Sequence, residues 1–234
     1  MTERAKPIVL MDLDNTILNF DIAEAAAIGK TLECHGIDPT PELIRRYNLI
    51  NISQWEKLER GEISRHEVLV GRFRMLFDEL GEECDCEEVQ EMYEGLLAQG
   101  HWFMPGAEEL LTALKDDYRL FICSNGTARV QAGRLESSGI EPYFEKIFVS
   151  ELMKVNKPSP EYFRACFDEI SDFDKDRTIM IGDSLTSDIL GGRNAGIMTC
   201  WYNPKGKVNG FDFSPDYEVR QLGEIPALLR KLFP

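Results

Sequence analysis

The sequence predicts a doubly wound parallel α/β sheet with an all-helical domain inserted after its first strand. Short apolar runs recur along the chain, beginning with residues 8–11, and helical patterns lie between the later runs. Continuous rather than alternating apolarity is typical of strands that are buried on both faces. Because such strands alternate with helices, we expect a parallel sheet that is covered by helices on its two sides.

Five apolar runs are assigned to the strands of this sheet. They are residues 8–11, 120–123, 147–149, 179–181 and 199–202. The helical patterns between the later runs are residues 108–115, 128–138 and 160–167. The second helix starts beside Thr127, which is a favourable N-cap residue, and the third follows Ser159 with a proline at its first position.

Residues 18–100 interrupt this alternation, since they contain helical patterns and no convincing strand. The four patterns are residues 23–35, 41–49, 64–80 and 87–99. In the third, apolar residues recur at helical spacing and form one stripe. We therefore predict an all-helical insert at 18–100 and an α/β core formed by residues 1–17 and 101–234.

Composition and charge exclude several classes of function. The net charge of −15 repels nucleic acid and anionic lipid at long range, so no polymeric nucleic acid is expected as a partner. No window approaches the roughly 18–20 apolar residues that span a bilayer, and the N-terminus does not resemble a signal peptide. We expect a cytoplasmic protein, and the sequence leaves its oligomeric state open.

Polar residues follow four of the predicted strands, at the edge where ligands gather in parallel sheets. These residues are Asp12 and Asp14 after the first strand, Ser124 and Asn125 after the second, Lys157 beyond the third, and Asp183 and Asp188 after the fourth. Each group alone fits an ordinary turn, cap or solvated side chain. Because all four come in this order after buried strands, coincidence is a poor explanation.

These residue types suit phosphoryl transfer. A carboxylate such as Asp12 can attack phosphorus, and a second acid, Asp14, can protonate the leaving alkoxide and later deprotonate water. Mg²⁺ would cancel the repulsion between carboxylate and phosphate, with Asp12 and Asp183 as ligands. The phosphate oxygens would be bound by Ser124, Lys157, backbone N–H groups near Asn125 and the positive end of the following helix.

The stretches 12–16, 124–125, 157–158 and 182–188 resemble motifs I to IV of the haloacid dehalogenase superfamily, and the helical insert resembles its type 1 cap. The resemblance implies a Rossmann-like core, Mg²⁺ as cofactor and an aspartyl-phosphate mechanism. It makes Asp12 the nucleophile and a metal ligand, and Asp14 the acid/base that gives its backbone carbonyl to the metal. For the remaining motif residues, the resemblance implies that Ser124, Asn125 and Lys157 bind phosphate and that Asp183 ligates the metal. It makes Asp188 either a metal ligand or a partner of Lys157, and the second role is favoured. Thr16 would steady the loop after Asp12 by hydrogen bonding.

The cap is expected to decide the substrate. Residues 51–55, 61–64 and 71–73, and the later stretches 188–196 and 199–203, resemble the bacterial house-cleaning pyrimidine 5′-nucleotidases. The resemblance implies that the partner is a small phosphorylated metabolite, a pyrimidine nucleoside monophosphate. Trp55 would stack on the base or belong to the core, and Arg72 would reach the cleft or be solvated.

Other functions remain open at this stage. The same core could serve a phosphoglycolate or sugar-phosphate phosphatase, a phosphomutase, or a binding module without catalysis. The dehalogenases of the superfamily lack the second aspartate, so Asp14 argues for phosphoryl chemistry.

Overall fold

A parallel sheet forms the centre of the α/β unit in the computed structural model, which describes residues 5–234. The strands among these residues are β1 (Ile8–Met11), β2 (Arg119–Ser124), β3 (Lys146–Val149), β4 (Thr178–Gly182), β5 (Met198–Tyr202) and β6 (Tyr217–Val219). They lie in the order β3-β2-β1-β4-β5-β6, and each neighbouring pair is parallel. The predicted doubly wound sheet is confirmed, and β6 is a short strand that no apolar run predicted.

The central strand β1 is buried along its whole length. Ile8 and Leu10 point to one face of the sheet, where they share a core cluster with Phe121 and Met180 of the neighbouring strands and with Phe163. Alternate residues of a strand point to opposite faces, so a strand buried at all four positions has both of its faces covered. This burial explains why the run is continuously apolar.

The helices are α1 (Phe20–Cys34), α2 (Pro41–Glu59), α3 (Arg65–Leu80), α4 (Cys86–Leu97), α5 (Ala107–Leu114), α6 (Ala128–Ser138), α7 (Ser150–Met153), α8 (Pro160–Asp168), α9 (Leu190–Ala195) and α10 (Ile225–Leu232). A π-helical turn at Leu185–Ile189 precedes α9. Within the described part of the chain, no helix has both the length and the apolar composition needed to cross a membrane.

The described residues divide into two units. The helical unit contains residues 20–102 and most of α6, residues 129–137. The α/β unit contains residues 5–19, 103–128 and 138–234. Helix α6 therefore begins in the α/β unit and continues in the helical unit, an arrangement that the predicted cap, residues 18–100, did not include.

Helix α2 is ten residues longer than the sequence pattern predicted, because it continues past residue 49 to Glu59. Ile50, Gln54 and Leu58 are buried at helical spacing, so the inward face continues over the added turns. The polar residues within this stretch hide the periodicity in the sequence. The helix begins after the N-cap Thr40 and ends before Gly61, which has a φ of 72°.

The interior of the helical unit contains a charged network as well as apolar side chains. Arg72 is 2% exposed and donates hydrogen bonds to Asn51 Oδ1 and Gln90 Oε1, both at 2.7 Å, and to the Leu69 carbonyl at 3.2 Å. The Asn51 amide in turn donates to Glu24 Oε1 at 2.6 Å. The network thus connects a buried guanidinium to a buried carboxylate through one amide side chain.

Of the two alternatives left open for Arg72, reaching the cleft or being solvated, this network rules out the solvated one. Burial raises the pKa of Glu24, while its hydrogen bonds with Asn48 and Asn51 and the positive charge of Arg72 oppose that rise. The attraction between a buried carboxylate and a buried guanidinium offsets part of the free energy lost when each charge leaves water. Either charge buried without the other would destabilise the fold. Arg72 therefore stabilises the interior of the helical unit.

We predict that Arg72→Met destabilises the protein by about 3 kcal/mol, because it leaves the Glu24 carboxylate buried without its cation. Arg74→Met is the matched control, since Arg74 lies on the same helix and is exposed. Urea unfolding followed by circular dichroism measures both. The double variant Glu24→Gln with Arg72→Met should recover much of the loss. Equal midpoints for Arg72→Met and Arg74→Met would contradict a structural role for Arg72.

Candidate active site

The candidate site lies where β1 and β4 are neighbours, which is the topological switch point of this strand order. Asp12 directly follows β1, and Asp183 directly follows β4. The Asp12 N–H donates to the Ile181 carbonyl at 2.9 Å, so the backbone hydrogen bonding between β1 and β4 extends to Asp12. The indole N–H of Trp201 donates to the Asp183 carbonyl at 2.9 Å, and this hydrogen bond holds the backbone just after β4.

Lys157 is the buried cation of the site. Its side chain is 1% exposed, and its ammonium donates three hydrogen bonds: to Asp12 Oδ1 at 2.7 Å, to Asp188 Oδ1 at 2.6 Å and to the Cys123 carbonyl at 2.6 Å. Burial by itself lowers the pKa of Lys157, but the attraction of the two carboxylates outweighs burial, and the net pKa is raised. The lysine is therefore a permanent positive charge beside Asp12.

Asp188 is held from two sides. Its Oδ1 accepts from Lys157, and its Oδ2 accepts from the Ser184 N–H at 3.0 Å. Gly182 makes room for this carboxylate, because a Cβ at that position would lie 2.1 Å from Asp188 Oδ2. The glycine at the end of β4 is thus required by close packing, and Asp188 is placed as a partner of Lys157.

Negative charge dominates the site. Oxygen atoms of Asp12, Asp183 and Asp188 lie within 4.8 Å of one another. Burial raises the pKa of the Asp12 carboxyl, and Lys157 opposes that shift. The nearby carboxylates raise it further; they belong to Asp188, Asp14 and Asp183. A compact group of hard oxygen donors with excess negative charge fits a divalent cation such as Mg²⁺.

The loop after β2 was predicted to bind phosphate through Ser124 and Asn125. Ser124 is fully buried, and its Oγ accepts a hydrogen bond from the Gly126 N–H at 3.0 Å. The Asn125 amide donates to the Lys157 carbonyl at 2.9 Å and accepts from the Lys157 N–H at 2.9 Å. The Asn125 side chain is therefore bound to the backbone of Lys157, and phosphate binding by this loop, through Ser124 and backbone N–H groups near Asn125, stays a prediction.

The start of α6 also differs from the expectation. The Thr127 hydroxyl is buried and has no hydrogen-bond partner among the described residues, so it does not cap the helix. The Ala128 N–H instead donates to the carboxylate of Glu151 at 2.7 Å. One N–H at the positive end of the helix is thus already occupied by an acid. Glu151 lies 23 residues further along the chain, and no local sequence pattern identifies it as the cap.

The loop after Asp12 is held by its backbone. The N–H groups of Ile17 and Leu18 both donate to the Leu13 carbonyl, at 3.0 and 2.9 Å. Asp14, which is half-buried, forms a β-bridge with Leu18. The hydroxyl of Thr16 is buried without a partner among residues 5–234, so the expected steadying hydrogen bond from Thr16 is absent.

The two cap candidates lie in the helical unit. Trp55 on α2 is half-buried, and the guanidinium of Arg65 lies 5.6 Å from the centre of its ring. Arg72 belongs to the interior network described above. Asp12, Lys157, Asp183 and Asp188 are the predicted site residues that the structure brings into one cluster.

Comparison with known proteins identifies the family. The family model described as haloacid dehalogenase-like hydrolase matches residues 9–202. YfnB of Bacillus subtilis is 40% identical over 221 residues, which are 94% of each chain. The pyrimidine 5′-nucleotidase PynA of Streptococcus pneumoniae is 40% identical and covers 95% of this chain and 94% of its own. The pyrimidine 5′-nucleotidase YjjG of Escherichia coli is 30% identical over 95% of this chain and 97% of its own.

Solved structures agree with this assignment. The crystal structure of YfnB from Bacillus subtilis bound to magnesium has a TM-score of 0.91 and 39% identity, and the match covers 97% of this chain and 100% of that one. An L-2-haloacid dehalogenase from Xanthobacter autotrophicus has a TM-score of 0.76 at 17% identity, over 97% of this chain and 99% of its own, which shows the shared fold alone. The chain belongs to the haloacid dehalogenase-like hydrolases.

Proposed function

We propose that this hydrolase is a magnesium-dependent phosphatase that forms an aspartyl-phosphate on Asp12. The observation that carries the proposal is the buried Asp12 carboxylate at the switch point, bonded to Lys157 and within 4.8 Å of two further carboxylates. A nucleophile, a fixed cation and a set of oxygen ligands in this arrangement suit attack on a phosphate ester.

In the first step, an oxygen of Asp12 attacks phosphorus, and the bond between phosphorus and the ester oxygen breaks. Lys157 already contacts Oδ1, so we assign the attack to Oδ2. Asp14 gives its proton to the leaving alkoxide, which departs as an alcohol. The positive charge of Lys157 and the N–H groups of the loop after β2 stabilise the charge that develops on the phosphoryl oxygens.

In the second step, water attacks the phosphorus of the aspartyl-phosphate. Asp14, now a carboxylate, takes a proton from that water, and the bond between phosphorus and Oδ2 breaks. Orthophosphate leaves, and the Asp12 carboxylate is restored. The two steps need one residue that alternates between acid and base, and the half-buried Asp14, two residues from the nucleophile, is the candidate for it.

We infer that Asp12, Asp183 and the backbone carbonyl of Asp14 would hold Mg²⁺. Asp188 is assigned to Lys157 instead, because both of its oxygens already accept protein hydrogen bonds. When bound, the metal would neutralise phosphate charge that otherwise repels the Asp12 carboxylate. The magnesium in the YfnB crystal structure supports this choice of cation.

For the substrate, we propose a pyrimidine nucleoside 5′-monophosphate. The support is the similarity to PynA and YjjG, two pyrimidine 5′-nucleotidases matched over nearly the whole chain, helical unit included. The helical unit presents the half-buried aromatic ring of Trp55, and we propose that this ring contacts the base. Arg72 no longer supports the proposal, because its guanidinium is bound within the unit.

We predict that Asp12→Asn lowers phosphate release by at least about a thousandfold, because the amide is a poor nucleophile. Asp116→Asn, an exposed change of the same type before β2, should leave activity unchanged. Release of orthophosphate from a chromogenic phosphate ester with Mg²⁺ measures both. Activity of Asp12→Asn near that of the unmodified protein would remove Asp12 from the mechanism.

We predict that removal of divalent cations by a chelator abolishes activity and that Mg²⁺ restores it. Mg²⁺ should also raise the Tm of the chelated protein by about 3 to 6 °C, since a ligand that binds only the folded state stabilises it. Asp183→Asn should lose most of that rise, and Asp116→Asn should keep it. Equal rises in both variants would show that Asp183 does not hold the metal.

We predict that kcat/KM is at least about tenfold higher for UMP, dUMP or dTMP than for phosphoglycolate or glucose 6-phosphate, because discrimination is differential binding of the transition state. A panel of these phosphomonoesters under one set of conditions provides the ranking. A higher kcat/KM for phosphoglycolate or the sugar phosphate would replace the nucleotidase proposal and leave the phosphatase proposal standing.

A further inference from the structure

The side chain of Asn125 is bound to the backbone of Lys157 at both of that residue's polar groups. Asn125 Nδ2 donates to the Lys157 carbonyl and Asn125 Oδ1 accepts from the Lys157 N–H, each at 2.9 Å. The two residues lie 32 positions apart, Asn125 on the loop after β2 and Lys157 on the loop between α7 and α8. We call this pair of hydrogen bonds the Asn125 clamp.

The clamp complements the contacts of the lysine ammonium. Cys123, two residues before Asn125, accepts a hydrogen bond from Lys157 Nζ through its backbone carbonyl at 2.6 Å. Residues at the end of β2 therefore hold Lys157 at two places: Asn125 binds its backbone, and the Cys123 carbonyl binds its ammonium. A long flexible side chain whose two ends are fixed loses little further freedom when phosphate binds.

We propose that Asn125 is a positioning residue, which acts on the reaction by holding Lys157 beside Asp12 rather than by touching phosphate. The proposal rests on the phosphatase function proposed above. Its geometric basis is that the amide uses its oxygen and one N–H on the Lys157 backbone, while the ammonium makes its own bonds of 2.6 to 2.7 Å. An error of about 1 Å in such a group can cost about a hundredfold in rate.

A direct contact between the Asn125 side chain and phosphate is the competing explanation. Turning the amide toward a phosphate would break its two hydrogen bonds with the Lys157 backbone. Under that explanation, loss of the side chain would lower activity and leave the backbone of Lys157 as well protected as before. The protection of the Lys157 N–H therefore separates the two explanations.

The experiment compares the full-length protein with Asn125→Ala and Asn125→Asp. Asn209→Ala is the matched control, because Asn209 also clamps a backbone: it donates to the Phe213 carbonyl at 2.6 Å and accepts from the Phe211 N–H at 2.9 Å. Amide hydrogen exchange of the peptide 152–160 is followed by mass spectrometry. In parallel, kcat and KM are measured with a chromogenic phosphate ester and Mg²⁺.

In Asn125→Ala, we expect exchange at 152–160 to rise by roughly tenfold, as for the loss of one net hydrogen bond, and kcat/KM to fall by about 10- to 100-fold. Asn125→Asp keeps the acceptor for the Lys157 N–H and should show an intermediate rise in exchange. Asn209→Ala should leave both measurements unchanged. Faster exchange that is confined to the Asn125 variants, together with lower kcat/KM, supports the proposal.

Unchanged exchange at 152–160 in Asn125→Ala would overturn the proposal, whatever the activity. Faster exchange with undiminished kcat/KM would overturn it too, since the clamp would then have no effect on catalysis. If the unmodified protein releases no phosphate from any ester tested, the phosphatase function fails instead, and the exchange data alone decide whether Asn125 holds Lys157. If Asn125→Ala loses its circular dichroism signal, the decision rests on Asn125→Asp, which is nearly isosteric: faster exchange at 152–160 with lower kcat/KM supports the proposal, and unchanged exchange overturns it.

Discussion

The candidate site depends on one buried charge, the ammonium of Lys157. A lysine that is 1% exposed loses its hydration, and a buried charge is tolerated only where fixed acceptors replace the water. Asp12, Asp188 and the Cys123 carbonyl are those acceptors. These acceptors lie near or beyond the ends of three strands, β1, β2 and β4, so the ammonium holds these strand ends in a common arrangement.

The register of the sheet supplies that arrangement. Met11, the last residue of β1, pairs with Ile122 of β2 on one side and with Ile181 of β4 on the other. The residues after these three positions are therefore level at one edge of the sheet, and Asp12 is the middle one. Parallel pairing with this register is what allows a single ammonium to reach groups from three strands.

Predictions from the sequence succeeded where the signal is local. The runs at 8–11 and 179–181 are continuously apolar because both faces of their strands are buried, and the acids that follow them were expected at the ligand-binding edge. Predictions failed where a side chain depends on a distant partner. Thr127 was expected to cap α6, but the Ala128 N–H donates to Glu151, which lies more than twenty residues away. The partner of the Asn125 amide, the Lys157 backbone, is equally distant and was not identified from the sequence.

The sequence by itself determined the doubly wound sheet, the helical segment after β1 and the placement of Asp12, Asp183 and Lys157 after strands. These features depend on the pattern of apolar and polar residues that are neighbours in the chain. Only the tertiary structure decided how polar groups are paired. It assigned Arg72 to the interior of the helical unit and Asn125 to the backbone of Lys157. Buried polar groups pair with whichever partners folding brings within hydrogen-bond distance, and the spacing of residues in the sequence does not show which partners these are.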